Sequence, residues 1–155
     1  MPLKIGDQAP DFTLFDSNKE KVSLSSHKGQ KTVLLFFPLA FTSVCTEELC
    51  SVRDNMNLYE KLDAKVLAIS VDSPFTLAKF KADQGLQFPL LSDFNKSVSA
   101  AYGALYEEFA LGMKGVSKRS AFVVDGEGKL RYAEVLEDAH GQPNFDNIRK
   151  ALAEI

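Results

Sequence analysis

An unbroken apolar run, Val33-Leu34-Leu35-Phe36-Phe37, stops at Pro38. Its β-branched and aromatic side chains predict a strand buried on both faces, and therefore a central one. Lys65-Val66-Leu67-Ala68-Ile69-Ser70-Val71 has the same character and stops at Asp72-Ser73-Pro74, where Ser73 suits the cap of a helix whose first residue is Pro74. Between the two runs, Leu49, Val52, Met56, Tyr59 and Leu62 recur three or four positions apart, which predicts one amphipathic helix over Thr46 to Leu62. A strand, helix and strand in this order normally make a parallel pair with a right-handed crossover, so the carboxyl ends of both strands open on one sheet edge. Pro38 and Cys45 are expected on that edge.

Towards the C-terminus, Ala121-Phe122-Val123-Val124, the turn Asp125-Gly126-Glu127-Gly128 and Leu130-Arg131-Tyr132-Ala133-Glu134-Val135 read as a hairpin, followed by a closing helix from about Asn144. Near the start, Asp11-Phe12-Thr13-Leu14 and Lys21-Val22-Ser23-Leu24 flank a polar turn, which predicts a small hairpin added at the sheet edge. The whole reads as an α/β protein: a thioredoxin-like fold with an N-terminal hairpin addition and a central mixed sheet flanked by helices. Residues 1-155 are expected to form a single domain, since no linker, repeat or low-complexity tract interrupts them. Phe75, Phe80, Phe88 and Phe94 are expected mostly in the core.

Composition narrows the function classes. The chain carries 18 basic and 21 acidic residues, mixed along its length for a net charge of -3, so no basic arm argues for nucleic acid or an anionic membrane. The N-terminus, Met1-Pro2-Leu3-Lys4-Ile5-Gly6-Asp7, has no apolar core of signal-peptide length, no later apolar run approaches the roughly 18 residues of a membrane span, and the expected compartment is the cytoplasm. The sequence has two cysteines, too few for a disulfide scaffold, and in a reducing compartment a special thiol is more readily catalytic than structural. Cys45 and Cys50 lack the two-residue spacing of thioredoxin-type redox pairs. With only His27 and His140 beside them, both in polar stretches next to glycine, they supply no zinc set. No metal or organic cofactor is expected. Gly126-x-Gly128 is explained by turn chemistry.

The segment Phe37-Pro38-Leu39-Ala40-Phe41-Thr42-Ser43-Val44-Cys45-Thr46-Glu47-Glu48-Leu49-Cys50 runs from the end of a buried strand into a helix. Cys45 falls near the first helical turn, where free N–H groups and the helix dipole favour the thiolate, the nucleophilic form of cysteine. On local grounds it is equally an inert small core residue. Thr42, three positions earlier, either brings its hydroxyl to the sulfur or serves as the N-cap, a place Ser43 also suits. Pro38 either walls a pocket without offering a hydrogen bond or simply ends the strand. Glu47 and Glu48 suit the positive end of the helix dipole.

Pro38-x-x-x-Thr42-x-x-Cys45, with Glu48 beyond it, resembles the active-site signature of the peroxiredoxins. The resemblance runs from Gly6-Asp7-Gln8-Ala9-Pro10-Asp11-Phe12 through Phe88-Pro89-Leu90-Leu91-Ser92-Asp93 to Ser117-Lys118-Arg119-Ser120-Ala121-Phe122-Val123-Val124-Asp125. Phe36-Phe37-Pro38-Leu39-Ala40-Phe41-Thr42 is most similar to the one-cysteine alkyl hydroperoxide reductase E branch, while Cys50, five positions after Cys45, is spaced as in bacterioferritin-comigratory protein. The resemblance implies a thiol-dependent peroxidase that reduces hydrogen peroxide, alkyl hydroperoxides or peroxynitrite through a sulfenic acid on Cys45. Thr42, Arg119, Pro38 and Glu48 complete the implied site; Arg119, otherwise a surface residue, matches the arginine held against the reacting sulfur. Thioredoxin, glutaredoxin or a low-molecular-weight thiol is the implied reductant, and a homodimer the implied assembly. Cys50 has two readings, a resolving cysteine or a buried small hydrophobe. A peroxide-sensing module and a thiol-disulfide oxidoreductase are the rival functions, the second disfavoured by the missing Cys-x-x-Cys.

Overall fold

The computed structural model describes residues 3–155. Its strands are β1 (Thr13–Asp16), β2 (Lys21–Ser23), β3 (Lys31–Phe36), β4 (Ala64–Ser70), β5 (Leu90–Ser92), β6 (Ser120–Val124) and β7 (Leu130–Val135). Its helices are α1 (Ser43–Asp54), α2 (Met56–Lys61), α3 (Pro74–Gln84), α4 (Ser97–Ala101) and α5 (Phe145–Ala153). The strands form one sheet in the order β2-β1-β5-β4-β3-β6-β7. The strands β3, β4 and β5 run parallel, while β1 and β2 make an antiparallel hairpin at one edge and β6 and β7 another at the opposite edge. The fold is the α/β, thioredoxin-like arrangement with a mixed sheet and an added N-terminal hairpin.

Alternation along the strands divides the core in two. Val33, Leu35 and Phe37 point with Val66, Ala68, Ala121 and Val123 to the face covered by α1, α2, α3 and α5. Leu34 and Phe36 point with Leu67, Ile69, Phe122 and Val124 to the face covered by α4 and the N-terminal segment. Side chains on a strand alternate between faces, so a strand buried on both must be apolar at every position. That is why the runs at β3 and β4 lack a polar alternation.

Two helical boundaries follow from local chemistry. Ser73 accepts from the Thr76 N–H at 3.2 Å with Pro74 just inside α3, and Gly85 ends that helix in the left-handed region at φ 61°. The single helix expected over Thr46 to Leu62 is instead two. Asn55 leaves helical geometry at φ -118°, ψ 19°. Its side-chain amide donates to the Ser51 carbonyl at 2.8 Å, replacing the backbone N–H that would have continued the helix. Leu49, Val52 and Tyr59 are buried all the same, because the chain resumes almost in phase.

The aromatic expectation holds for half of its residues. Phe80 and Phe88 are buried, whereas Phe75 and Phe94 are 69% and 60% exposed. Phe75 follows Pro74 in the first turn of α3 and Phe94 follows the end of β5, so both stand at the carboxyl edge of the parallel strands. Lys19 and Lys96 place ammonium groups 5.2 and 5.8 Å from their ring centres. His140 is exposed, and His27 is half-buried in a short 3-10 turn. No helix among the described residues is long and apolar enough to cross a membrane.

Candidate active site

The carboxyl end of β3 delivers the chain into α1 through Phe37 to Thr42. Ala40 is anchored there by its N–H, which donates to Asp72 Oδ2 at 2.8 Å, and Ser70 Oγ donates to the same oxygen at 2.7 Å. The loop is thus tied to the end of the neighbouring strand β4. Phe41, exposed, takes a left-handed φ of 68°, uncommon for a bulky residue, and its ring meets the edge of Phe80 at 5.1 Å. Thr42 then occupies the N-cap position.

Cys45 is the third residue of α1. The first ladder bond runs from the Thr46 N–H to the Thr42 carbonyl at 2.9 Å, so the Cys45 N–H belongs to the unpaired donors of the helix start, where negative charge is favoured. The side chain is fully buried. Arg119 reaches it from the far side of β3. Since β6 runs antiparallel to β3, with Phe36 opposite Ser120, the residue that opens β6 stands beside the residue that closes β3. Arg119 and Cys45, 74 positions apart in the chain, meet with Nη1 donating to Sγ at 3.3 Å.

The same Nη1 donates to Glu48 Oε1 at 2.7 Å, in an ion pair closed to solvent. Nε and Nη2 donate to the Ala139 carbonyl at 3.1 and 2.9 Å. This fork holds the guanidinium in one plane and one orientation. Burial opposes the charge on Arg119, yet Glu48 and Cys45 together hold its proton above the ordinary arginine value. Burial likewise dominates at Glu48: it pushes the carboxyl up to about 7 against the opposing pull of Arg119, with Glu134 adding to the rise. Glu48 lies in the second turn of α1, so contact with Arg119 rather than the helix dipole accounts for it.

The residues expected in the site therefore divide. Cys45, Glu48 and Arg119 are brought into contact. Pro38 is buried at the bend that follows β3. Thr42 is adjacent in the chain, but its hydroxyl donates to the Leu39 carbonyl at 2.7 Å and makes no hydrogen bond to the sulfur. Cys50 is half-buried, and its thiol faces Gln84 Oε1 at 3.4 Å. Both cysteines are free. Ala139, Asp72 and Gln84 carry the supporting contacts and were not legible beforehand. A backbone carbonyl has no residue-type signal, and the partners of Asp72 and Gln84 come from other elements.

A buried cysteine at a helix start, paired with a fixed guanidinium, is an arrangement for thiolate chemistry. The profile of the AhpC/TSA family matches residues 5–133. The chain belongs to that family. These are peroxiredoxins, and the chain is accordingly a thiol-dependent peroxidase that acts on peroxides with a thiol as reductant. It is 46% identical over 136 residues to alkyl hydroperoxide reductase E of Mycobacterium tuberculosis, covering 86% of each chain. It is 36% identical over 155 residues to peroxiredoxin Bcp of Escherichia coli, covering 99% of this chain and 97% of the relative. Among solved structures, peroxidoxin BcpB of Mycobacterium tuberculosis superposes with a TM-score of 0.85 at 32% identity, covering 99% of this chain and 98% of that one. The peroxiredoxin assignment thus covers the sheet and helices together with the segment that holds Cys45.

Proposed function

We propose that Cys45 is the attacking sulfur of this peroxidase, within a single peroxiredoxin domain spanning residues 1-155. The observation that carries this is the 3.3 Å contact between Arg119 Nη1 and Cys45 Sγ. A guanidinium stays charged at every working pH, so it stabilises a neighbouring thiolate and offers rigid donors to an incoming oxygen. Peroxide lodges between Pro38, Thr42 and Arg119, with its O–O bond in line with the sulfur. The sulfur bonds to the nearer oxygen, alcohol or water leaves, and Cys45 becomes a sulfenic acid that a thiol reduces. Arg119 and the Thr42 hydroxyl, released from the Leu39 carbonyl, act on charge that develops during the reaction, so they lower the barrier rather than tighten substrate binding.

Hydrogen peroxide, alkyl hydroperoxides and peroxynitrite are the proposed substrates. Thioredoxin, glutaredoxin or a low-molecular-weight thiol in the cytoplasm is the proposed reductant. Cys50 is the proposed resolving cysteine, supported by its incomplete burial, which an inert core thiol would not need. Mass spectrometry after one equivalent of peroxide, with and without a sulfenic acid trap, tests the scheme. A trapped adduct on Cys45 is expected, and rapid peroxide consumption by Cys45→Ser at the wild-type rate would rule the scheme out. If trapped sulfenic acid lasts as long in wild type as in Cys50→Ala, an external thiol performs the resolving step.

A further inference from the structure

Arg119 is one cation shared by two acids. Its Nη1 touches both Cys45 Sγ and Glu48 Oε1, and Cys45, Glu48 and Arg119 are all buried. Were sulfur and carboxyl both ionised, the cluster would hold two anions and one cation away from water, an uncompensated charge that burial penalises. One proton therefore belongs on one of the two acids. Glu48 Oε2 has no hydrogen-bond partner, the one buried side-chain nitrogen or oxygen so left among the described residues. A bare carboxylate oxygen is costly in such a place, and a neutral carboxyl is less so.

We infer that Cys45 and Glu48 hold a single proton between them: Glu48 is a neutral acid, protonated at Oε2, while the sulfur is a thiolate, and it ionises when the sulfur becomes a neutral sulfenic acid. This rests on Cys45 being the attacking sulfur. In the step itself the thiolate bonds to the hydroxyl oxygen of ROOH, the O–O bond breaks, and its electron pair leaves on the alkoxide. Sulfur is oxidised by two electrons and the peroxide is reduced. Oε2 releases one proton, relayed through solvent admitted with the peroxide, and the alkoxide gains one to become alcohol. The cluster begins and ends with one anion facing Arg119. Glu48 touches no substrate, so its part is that of a positioning residue.

The groups facing Glu48 favour this division. Arg119 approaches from the start of β6 and Cys45 from one turn back on α1. Glu134 on β7 adds a negative charge that disfavours ionisation, after burial, which is the larger effect. Tyr59 on α2 stays protonated, because burial outweighs the opposing pull of Arg149.

Infrared difference spectra of protein labelled with carbon-13 at glutamate carboxyls, reduced minus oxidised by one equivalent of an alkyl hydroperoxide, read the proton directly. Sulfenic acid trapping on the same samples is followed separately, in a Cys50→Ala background that prevents a disulfide. The expected result is loss of one protonated-carboxyl band and gain of one carboxylate band per sulfur oxidised, both moved by the label and both absent in Glu48→Gln. The same variant is expected to lose the limb of the pH-rate profile centred near neutrality. Sulfenic acid on Cys45 with an unchanged carboxyl band would overturn the shared proton while leaving Cys45 as the attacking sulfur. Failure to form sulfenic acid at all would overturn both. Should Glu48→Gln not fold, the labelled Cys50→Ala spectrum still decides the matter.

Discussion

At Arg119 a single side chain meets a sulfur, a carboxyl group and a backbone carbonyl, and only a planar fork of donors can do so at once. Lysine keeps the charge but presents it as a point, so Arg119→Lys is expected to slow peroxide reduction about 10²-fold, the cost of losing one fixed donor to developing charge. Rapid-mixing kinetics, with thermal unfolding as the control for folding, check this, and a variant at full speed would exclude the fork as the reason for arginine. Glu48 gives a second expectation. Its carboxyl holds its proton up to about 7 in the folded state, against an ordinary 4.5. The folded protein binds that proton more tightly, so the stability it contributes is complete below about pH 4.5 and is lost as pH rises through about 7. Urea unfolding of wild type and Glu48→Gln across that window should diverge in this sense, and parallel curves would show that Glu48 does not titrate there. Cys45, Arg119 and Glu48 were legible as residues because a motif carries them. The resemblance set Arg119 against Cys45, but the contact of Glu48 with Arg119 and the burial of all three were not legible, because they belong to the tertiary fold.

Among the elements, strands were the most legible, since burial on both faces forces an uninterrupted apolar run. The break at Asn55 was hidden because Met56, Tyr59 and Leu62 keep the apolar period across it. Phe75 and Phe94 misled for a related reason: an aromatic side chain signals apolar area without saying whether it will face the core or solvent. Helix α1 carries a prediction of its own. Cys50 lies about 7.5 Å of helical rise beyond Cys45, on a different face, whereas a disulfide needs Cα atoms roughly 4.4 to 6.8 Å apart. Oxidation to a Cys45–Cys50 disulfide must therefore unwind the first turns. Peroxide is expected to reduce amide protection from Thr46 to Val52 in hydrogen exchange, and a thiol reductant to restore it; a disulfide formed with protection unchanged would contradict that requirement. Helix α5 offers a simpler case. Asn144 accepts from the Asn147 N–H at 3.0 Å as its cap, so Asn144→Ala is expected to cost about 1 kcal/mol in urea unfolding.

For the molecule as a whole, the parallel strands set the site and the apolar side chains around it. Because β3, β4 and β5 end on one edge, the exposed Phe41, Phe75 and Phe94 that follow them stand on the same side as Cys45. We propose a homodimer built there, and sedimentation under reducing conditions should find a dimer that Phe75→Asp with Phe94→Asp weakens. A strict monomer in the wild type would refute it. The pairing of Phe36 with Ser120 has a different kind of outcome, one in time. Cys45 and Arg119 are brought together by that antiparallel ladder across 74 positions, so a chain still being synthesised carries its cysteine long before its arginine exists. Until β6 docks, the thiol has a helix start and nothing else to sharpen it. Any fragment ending short of Arg119 should therefore consume peroxide no faster than an ordinary thiol.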